Sequence, residues 1–158
     1  MRDKDIFVHL FEVAKQSKDP RGVVSAALVS DDQILLSAAS SDDGVRHAED
    51  ILFENARSKN ISLDKSIALY ATLEPCNKRS RAGMLDCVTQ IIDAKIGSVV
   101  FGARDPDQSE VTRLRLKEAG VGLQQVHDSE IIRKCAQIFN ESVTPEHKET
   151  DVTLKPVD

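Results

Sequence analysis

Three short stretches of the chain carry side chains able to do chemistry together: His47-Ala48-Glu49, Pro75-Cys76 and Cys87. Two thiolates and one imidazole form a donor set suited to zinc. Three protein ligands leave the fourth tetrahedral position to water, which marks a catalytic site rather than a closed structural one. Zinc lowers the pKa of such a water towards neutrality and yields a nucleophile. Glu49, two residues from His47 at the same helix start, can reach that water without being a ligand, and a carboxylate there takes its proton and hands it to a leaving group. Cys76 follows a proline and Cys87 follows Asp86, a helix-capping residue type, so backbone N–H groups at a helix start favour the thiolate. Cys135 lies within Ile-Ile-Arg-Lys-Cys-Ala-Gln-Ile and reads instead as a small core hydrophobe.

The elements that must position these residues follow from hydrophobic spacing and breakers. Helical spacing over residues 4–17 ends at Pro20 and Gly22. Apolar runs at Val23 to Val29 and Ile34 to Ala39, separated by Ser-Asp-Asp-Gln, predict an antiparallel hairpin. A loop at 40–44 leads into a helix from Arg46 to Ser58. A strand from Ile67 to Leu73 stops at Pro75, a helix spans Asp86 to Ala94, and a buried strand spans Val99 to Ala103. A loop at 104–108 precedes a helix at 109–119, a strand at 120–126 and an amphipathic helix at 128–141. Helices alternate with the last three strands, which predicts that those strands are parallel. The expected fold class is α/β: a three-layer α/β/α arrangement on a five-stranded mixed sheet, its site at the carboxyl ends of the strands. Residues 1–142 are expected to form one domain and 143–158 a polar tail.

Composition sets the outer limits. The 158 residues are 41% hydrophobic and 30% charged, as in a globular domain. No apolar run reaches the ~18 residues of a membrane-spanning helix, and the charged opening MRDKDIFVHL lacks the apolar core of a secretory signal. An odd count of three cysteines reads as free thiols or metal ligands in a reducing compartment, hence a cytoplasmic protein. The net charge of −5 argues against broad capture of nucleic acid and leaves a small molecule as the expected partner.

Taken together, these motifs resemble the zinc-dependent cytidine-deaminase-like superfamily, whose His-x-Glu and Pro-Cys signature they share, and within it the pyrimidine deaminase of riboflavin biosynthesis. The resemblance covers about residues 5–140. It is strongest at Ala71-Thr72-Leu73-Glu74-Pro75-Cys76-Asn77-Lys78-Arg79, at Cys87-Val88-Thr89-Gln90-Ile91-Ile92, at Phe101-Gly102-Ala103-Arg104-Asp105-Pro106-Asp107 and at Leu116-Lys117-Glu118-Ala119-Gly120-Val121. The ten residues between Cys76 and Cys87 are typical of the riboflavin enzymes. The resemblance implies zinc held by His47, Cys76 and Cys87, with Glu49 as proton shuttle. It implies substrate contacts from Ala48, Arg81 and Asp105, with Lys78 and Arg79 assisting at the ribose-phosphate end. Glu74 matches a motif position with a hydrogen-bonded structural role. Two positions depart from the family pattern: Asp107 stands where an Asn is usual, and Val23 falls where the family places a base-contacting Asn. The implied reaction is hydrolytic deamination of an aminopyrimidine nucleotide, by a protein that forms a homo-oligomer, a dimer foremost. At this length no reductase domain fits after it, so a stand-alone deaminase is expected. Another superfamily deaminase, acting on a cytidine- or deoxycytidylate-type nucleotide or a base, and a zinc-binding relative without catalysis remain alternatives.

Overall fold

The computed structural model describes residues 2–79, 83–106 and 108–147. Helix α1 (Asp3–Ala14) precedes a hairpin of β1 (Ser25–Ser30) and β2 (Gln33–Ala39). Asp31 and Asp32 make its tight turn with φ of 50° and 61°, a left-handed geometry that short polar side chains tolerate and that matches the twist of paired strands. Then follow α2 (Ala48–Ser58), β3 (Ala68–Leu73), α3 (Cys87–Ala94), β4 (Ser98–Ala103), α4 (Ser109–Glu118), β5 (Gly122–Gln125) and α5 (Ser129–Ser142). The five strands form one sheet in the order β2-β1-β3-β4-β5. β1 is antiparallel to both β2 and β3, whereas β3, β4 and β5 run parallel. The expected mixed sheet is therefore present.

Strand alternation splits the core in two. Ala26, Leu28, Leu69, Ala71 and Val99 face one side, where Leu52 and Phe53 of α2, Val88 and Ile91 of α3 and Leu116 of α4 cover them. Ala27, Val29, Tyr70 and Val100 face the other, under Ile6, Phe7 and Leu10 of α1 and Ile131, Ile132 and Cys135 of α5. The central strands β1, β3 and β4 are buried on both faces, as a sheet covered by two helical layers requires, while the edge strands β2 and β5 stay partly exposed.

The element ends differ from the sequence reading where tertiary contacts set them. α1 stops at Ala14, β1 begins at Ser25 rather than Val23, and α2 begins at Ala48, leaving His47 as its extended N-cap residue. Residues 143–147, at the start of the expected tail, tie back to the domain: the Thr144 N–H donates to the Pro20 carbonyl at 2.9 Å. Among the described residues, no helix is long and apolar enough to cross a membrane.

Gly102 in β4 packs closely against Cys135 of α5. A Cβ there would land on the Sγ of Cys135 and 3.0 Å from the Thr72 carbonyl oxygen. Gly102→Ala is expected to destabilise the protein by about 1–3 kcal/mol through overpacking, read as a lower urea midpoint. Adding Cys135→Ala, which removes the Sγ but leaves the Cβ 2.9 Å away, is expected to recover part of the loss; a double variant no better than the single one would show that the remaining Cβ and backbone contacts dominate.

Candidate active site

The parallel strands β3 and β4 end side by side, and their carboxyl ends open onto a cavity of about 720 Å³. Its lining includes His47, Glu49, Cys76, Lys78, Arg79, Asp105 and Gln108, with Asp19, Arg21, Ser40 and Gly44 from the loops around the hairpin. Three elements bring the metal-ligand candidates together: His47 at the amino end of α2, Cys76 in the loop after β3 and Cys87 as the first residue of α3. The His47 Nδ1 lies 3.4 Å from Cys87 Sγ and 3.6 Å from Cys76 Sγ, and all three ligand atoms fall within 4.8 Å of one another. Tetrahedral zinc with bonds of about 2.0 and 2.3 Å needs nitrogen–sulfur edges of about 3.5 Å. The donor set thus fits zinc in both chemistry and spacing.

Electrostatics at the cluster follow from burial and crowding. The hydrogen bond with Cys87 pulls the Cys76 thiol down to about 5 against desolvation, helped by His47, and the same contact pushes Cys87 upward. Burial works to lower the His47 imidazole, but the hydrogen bond and charge of Cys76 and the charge of Glu49 outweigh it, and the net shift is upward. Glu49 is 3% exposed, and desolvation raises its carboxyl to about 7. The backbone N–H of Cys87 points at Cys76 Sγ from 3.4 Å, and Asp86 caps α3 by accepting from the Thr89 N–H at 2.8 Å, which keeps that helix start aimed at the sulfurs.

A polar frame that the sequence reading missed holds these loops. Asp50 accepts the His47 N–H at 2.8 Å, Gln90 Nε2 at 2.7 Å and Arg79 Nη1 at 2.9 Å on each oxygen. Desolvation tends to raise its carboxyl, yet these hydrogen bonds hold it below the usual carboxylate range. Arg79 Nη2 donates to the Val45 carbonyl at 3.0 Å. On the other side, Asn77 bonds through its N–H to Gln108 Oε1 at 2.8 Å and through Nδ2 to the Gln108 carbonyl at 2.7 Å. The Thr112 hydroxyl donates to the Pro75 carbonyl at 3.0 Å. The signal for Asp50 was legible: an acid three residues after an N-cap residue is the spacing of a capping box.

The residues expected at the substrate differ in where the structure places them. Arg79, expected at a phosphate, has a side chain only 5% exposed and spends its guanidinium on Asp50 and on the Val45 and Leu85 carbonyls. Ala48 packs fully buried in the α2-side core and lies outside the cavity lining, because the first helical turn directs its Cβ at the sheet. Val23, which falls where the family places a base-contacting Asn, is 4% exposed and outside the lining, its N–H spent on Ser142 Oγ at 2.7 Å. Asp19, Arg21 and Gly22 from the same segment line the cavity instead. Lys78 is exposed at the rim, and Asp105 is on the cavity wall, accepting from Gln108 Nε2 at 3.1 Å. Glu74 has the expected structural role: it is 2% exposed and accepts from the Asp105 N–H and Ser109 hydroxyl. Arg81 and Asp107 lie outside the described residues.

Comparison with known proteins gives the same direction. A family model described as the cytidine and deoxycytidylate deaminase zinc-binding region matches residues 1–103. A diaminohydroxyphosphoribosylamino-pyrimidine deaminase of Schizosaccharomyces pombe is 35% identical over 104 residues, 62% of this chain and 25% of that protein. A Thermotoga maritima diaminohydroxyphosphoribosylaminopyrimidine deaminase/5-amino-6-(5-phosphoribosylamino)uracil reductase structure aligns with a TM-score of 0.69 at 25% identity, over 87% of this chain and 40% of that one. The Aspergillus oryzae Rib2 deaminase, at 23% identity, shares the fold with a TM-score of 0.76, over 92% and 95% of the two chains. The chain spans only 25% to 33% of the length of the curated relatives it matches.

Arg79 provides the test of the frame. Removing one partner of a buried ion pair costs about 3–5 kcal/mol, because the other is left charged and unpaired. Arg79→Ala is expected to lose stability on that scale by urea denaturation. Arg79→Lys is expected to recover under half of it, since an ammonium cannot serve Asp50 and Val45 as a planar fork does. Wild-type stability in Arg79→Ala would return this residue to the substrate.

Proposed function

The chain belongs to the cytidine and deoxycytidylate deaminase zinc-binding family, and from that premise we propose that it is a zinc-dependent hydrolytic deaminase of an aminopyrimidine nucleotide, its substrate being the diaminohydroxyphosphoribosylaminopyrimidine for which the fission-yeast relative is named. The observation that carries this reading is the convergence of His47 Nδ1, Cys76 Sγ and Cys87 Sγ within 4.8 Å on a cavity that Glu49 also lines.

His47, Cys76 and Cys87 would hold the metal, which when bound would supply Lewis-acid activation of a water. Glu49 accepts one proton of the attacking water as its oxygen bonds to the carbon bearing the amino group, and passes that proton to an adjacent ring nitrogen. The remaining proton on that oxygen then passes through Glu49 to the amine, the C–N bond breaks, and ammonia leaves as the new carbonyl forms. Burial of Glu49 keeps the proton path short and shielded from bulk water. Lys78 at the rim supplies a cation for the phosphate, and Arg81 of the same inter-cysteine segment adds a planar two-pronged donor. Asp105 bounds the base. Assembly into a homo-oligomer is part of the same reading.

Two measurements test it. Elemental analysis is expected to find about one zinc per chain, and Cys76→Ser or Cys87→Ser to lower it; a metal-free wild-type protein would remove the basis of the proposal. Glu49→Gln keeps shape but cannot carry the proton. It is expected to retain zinc and to cut ammonia release by roughly 100-fold or more, the usual scale for a general acid–base. Turnover near that of the wild type would reject the assigned role.

A further inference from the structure

Asp19 is a charged side chain only 4% exposed, and it lines the cavity. Burying a carboxylate is costly unless donors or a cation compensate. Its Oδ1 accepts the Arg21 N–H at 2.8 Å. Among the described residues no cation pairs with it, and no donor reaches its second oxygen.

The position is rigidly built. Asp19-Pro20-Arg21-Gly22 forms a turn closed by the Gly22 N–H to the Asp19 carbonyl at 3.4 Å. Gly22 has φ of +117°, and the Phe139 ring occupies the space a Cβ would need. Gly44 lets the opposing loop close over the carboxylate, since a Cβ there would stand 2.6 Å from Asp19 Oδ1. Thr144 ties the turn to the end of α5 through the Pro20 carbonyl. The carboxylate is therefore held still against the cavity before any ligand arrives, which removes the ordering cost of using it.

A carboxylate only accepts hydrogen bonds. An aminopyrimidinone has two ring nitrogens beside the carbon that bears its amino group: one is the acceptor that Glu49 would protonate, and the other carries a hydrogen, so that edge donates. A cytosine has no ring N–H: beside its reacting carbon stand the acceptor nitrogen that Glu49 would protonate and, on the other side, a C–H carbon. Facing an acceptor-only group, the first base gains a charge-assisted hydrogen bond, and the second leaves a buried carboxylate without one. We infer that Asp19 sets the substrate class of this cavity, taking a pyrimidine with an N–H donor edge and rejecting cytosine-type bases. The inference rests on the deaminase reading of the same cavity.

The test compares binding of an aminopyrimidinone ribosyl phosphate and of cytidine monophosphate, by calorimetry on the zinc-loaded chain carrying Glu49→Gln so that neither is consumed. Asp19→Asn is added to that background. The amide keeps an acceptor for the Arg21 N–H and can turn a donor to the cavity. The preference for the aminopyrimidinone is expected to fall 10- to 100-fold, the scale of one charge-assisted hydrogen bond. That loss should come from weaker aminopyrimidinone binding, while cytidine monophosphate is unchanged or gains. Melting temperature and zinc content should match the parent; if Asp19→Asn misfolds, Asp19→Ser, with a hydroxyl acceptor for Arg21, is read in the same way. Equal loss on both ligands, or no change on either, overturns the inference. Ammonia release by the unmodified chain separates the two readings: no turnover of either compound would reject the deaminase proposal, while the binding ratio would still decide the role of Asp19.

Discussion

The Asp50 carboxylate is the point on which the site's geometry depends. It collects donors from the residue that begins α2, from the loop after Cys76 and from α3. Each of those segments also carries one of the three metal-ligand candidates. Burying Asp50 with Arg79 is costly in desolvation, and a buried pair of this kind returns little net stability. Its effect is geometric: a carboxylate that must satisfy all these donors at once does not let one loop move without the others. The hydrophobic layers place the three strand and helix ends within a few ångströms, and this polar junction sets the remaining positions of the side chains.

The cavity is assembled from distant parts of the sequence for the same reason. One wall is the pair of parallel strand ends, extended past β3 by the Glu74 N–H to the Ala103 carbonyl at 2.9 Å. The amino end of α4 clamps that wall through Gln108 and Thr112, and Arg115 adds contacts to the Asn77 carbonyl and to Asp86 Oδ1 at 3.2 Å each. The opposite wall is the turn at 19–22, which depends on Phe139 and Thr144 near the other end of the chain. The cavity thus lies between a wall fixed by hydrogen bonds and a wall fixed by packing.

This division explains what could be read from residues alone. The sheet was legible because alternation is local: Ala26 and Leu28 face one layer, Ala27 and Val29 the other, whatever the rest of the chain does. His47, Cys76, Cys87 and Glu49 were legible because the chemistry demands those types and each sits at a recognisable element end. Arg79 was not, because its partner Asp50 is 29 residues away and nothing local distinguishes a guanidinium that meets phosphate from one that meets a carboxylate. Ala48 is buried outside the cavity lining, since motif adjacency says nothing of which way the first helical turn points. Val23 falls where the family has an Asn, but β1 starts two residues after it, and its neighbours Asp19, Arg21, Gly22 and Val24 line the cavity while Val23 does not.

Lining a cavity is therefore a poor criterion for meeting a substrate; spent hydrogen-bonding capacity is a better one. Glu74 and Arg79 both line the cavity, yet Glu74 joins the ends of β3 and β4 through the Asp105 N–H and Ser109 hydroxyl, and Arg79 is consumed by Asp50. Desolvation still raises the Glu74 carboxyl, with those hydrogen bonds opposing it, which is the expected balance for a buried structural acid. Lys78 and Asp19 differ: the first is exposed at the rim, and the second is buried with a single donor from its own turn. Among the titratable residues that line the cavity, an exposed cation at the rim, a fixed carboxylate on the wall and the buried Glu49 are thus set apart from Glu74 and Arg79, whose hydrogen-bonding capacity is spent inside the fold.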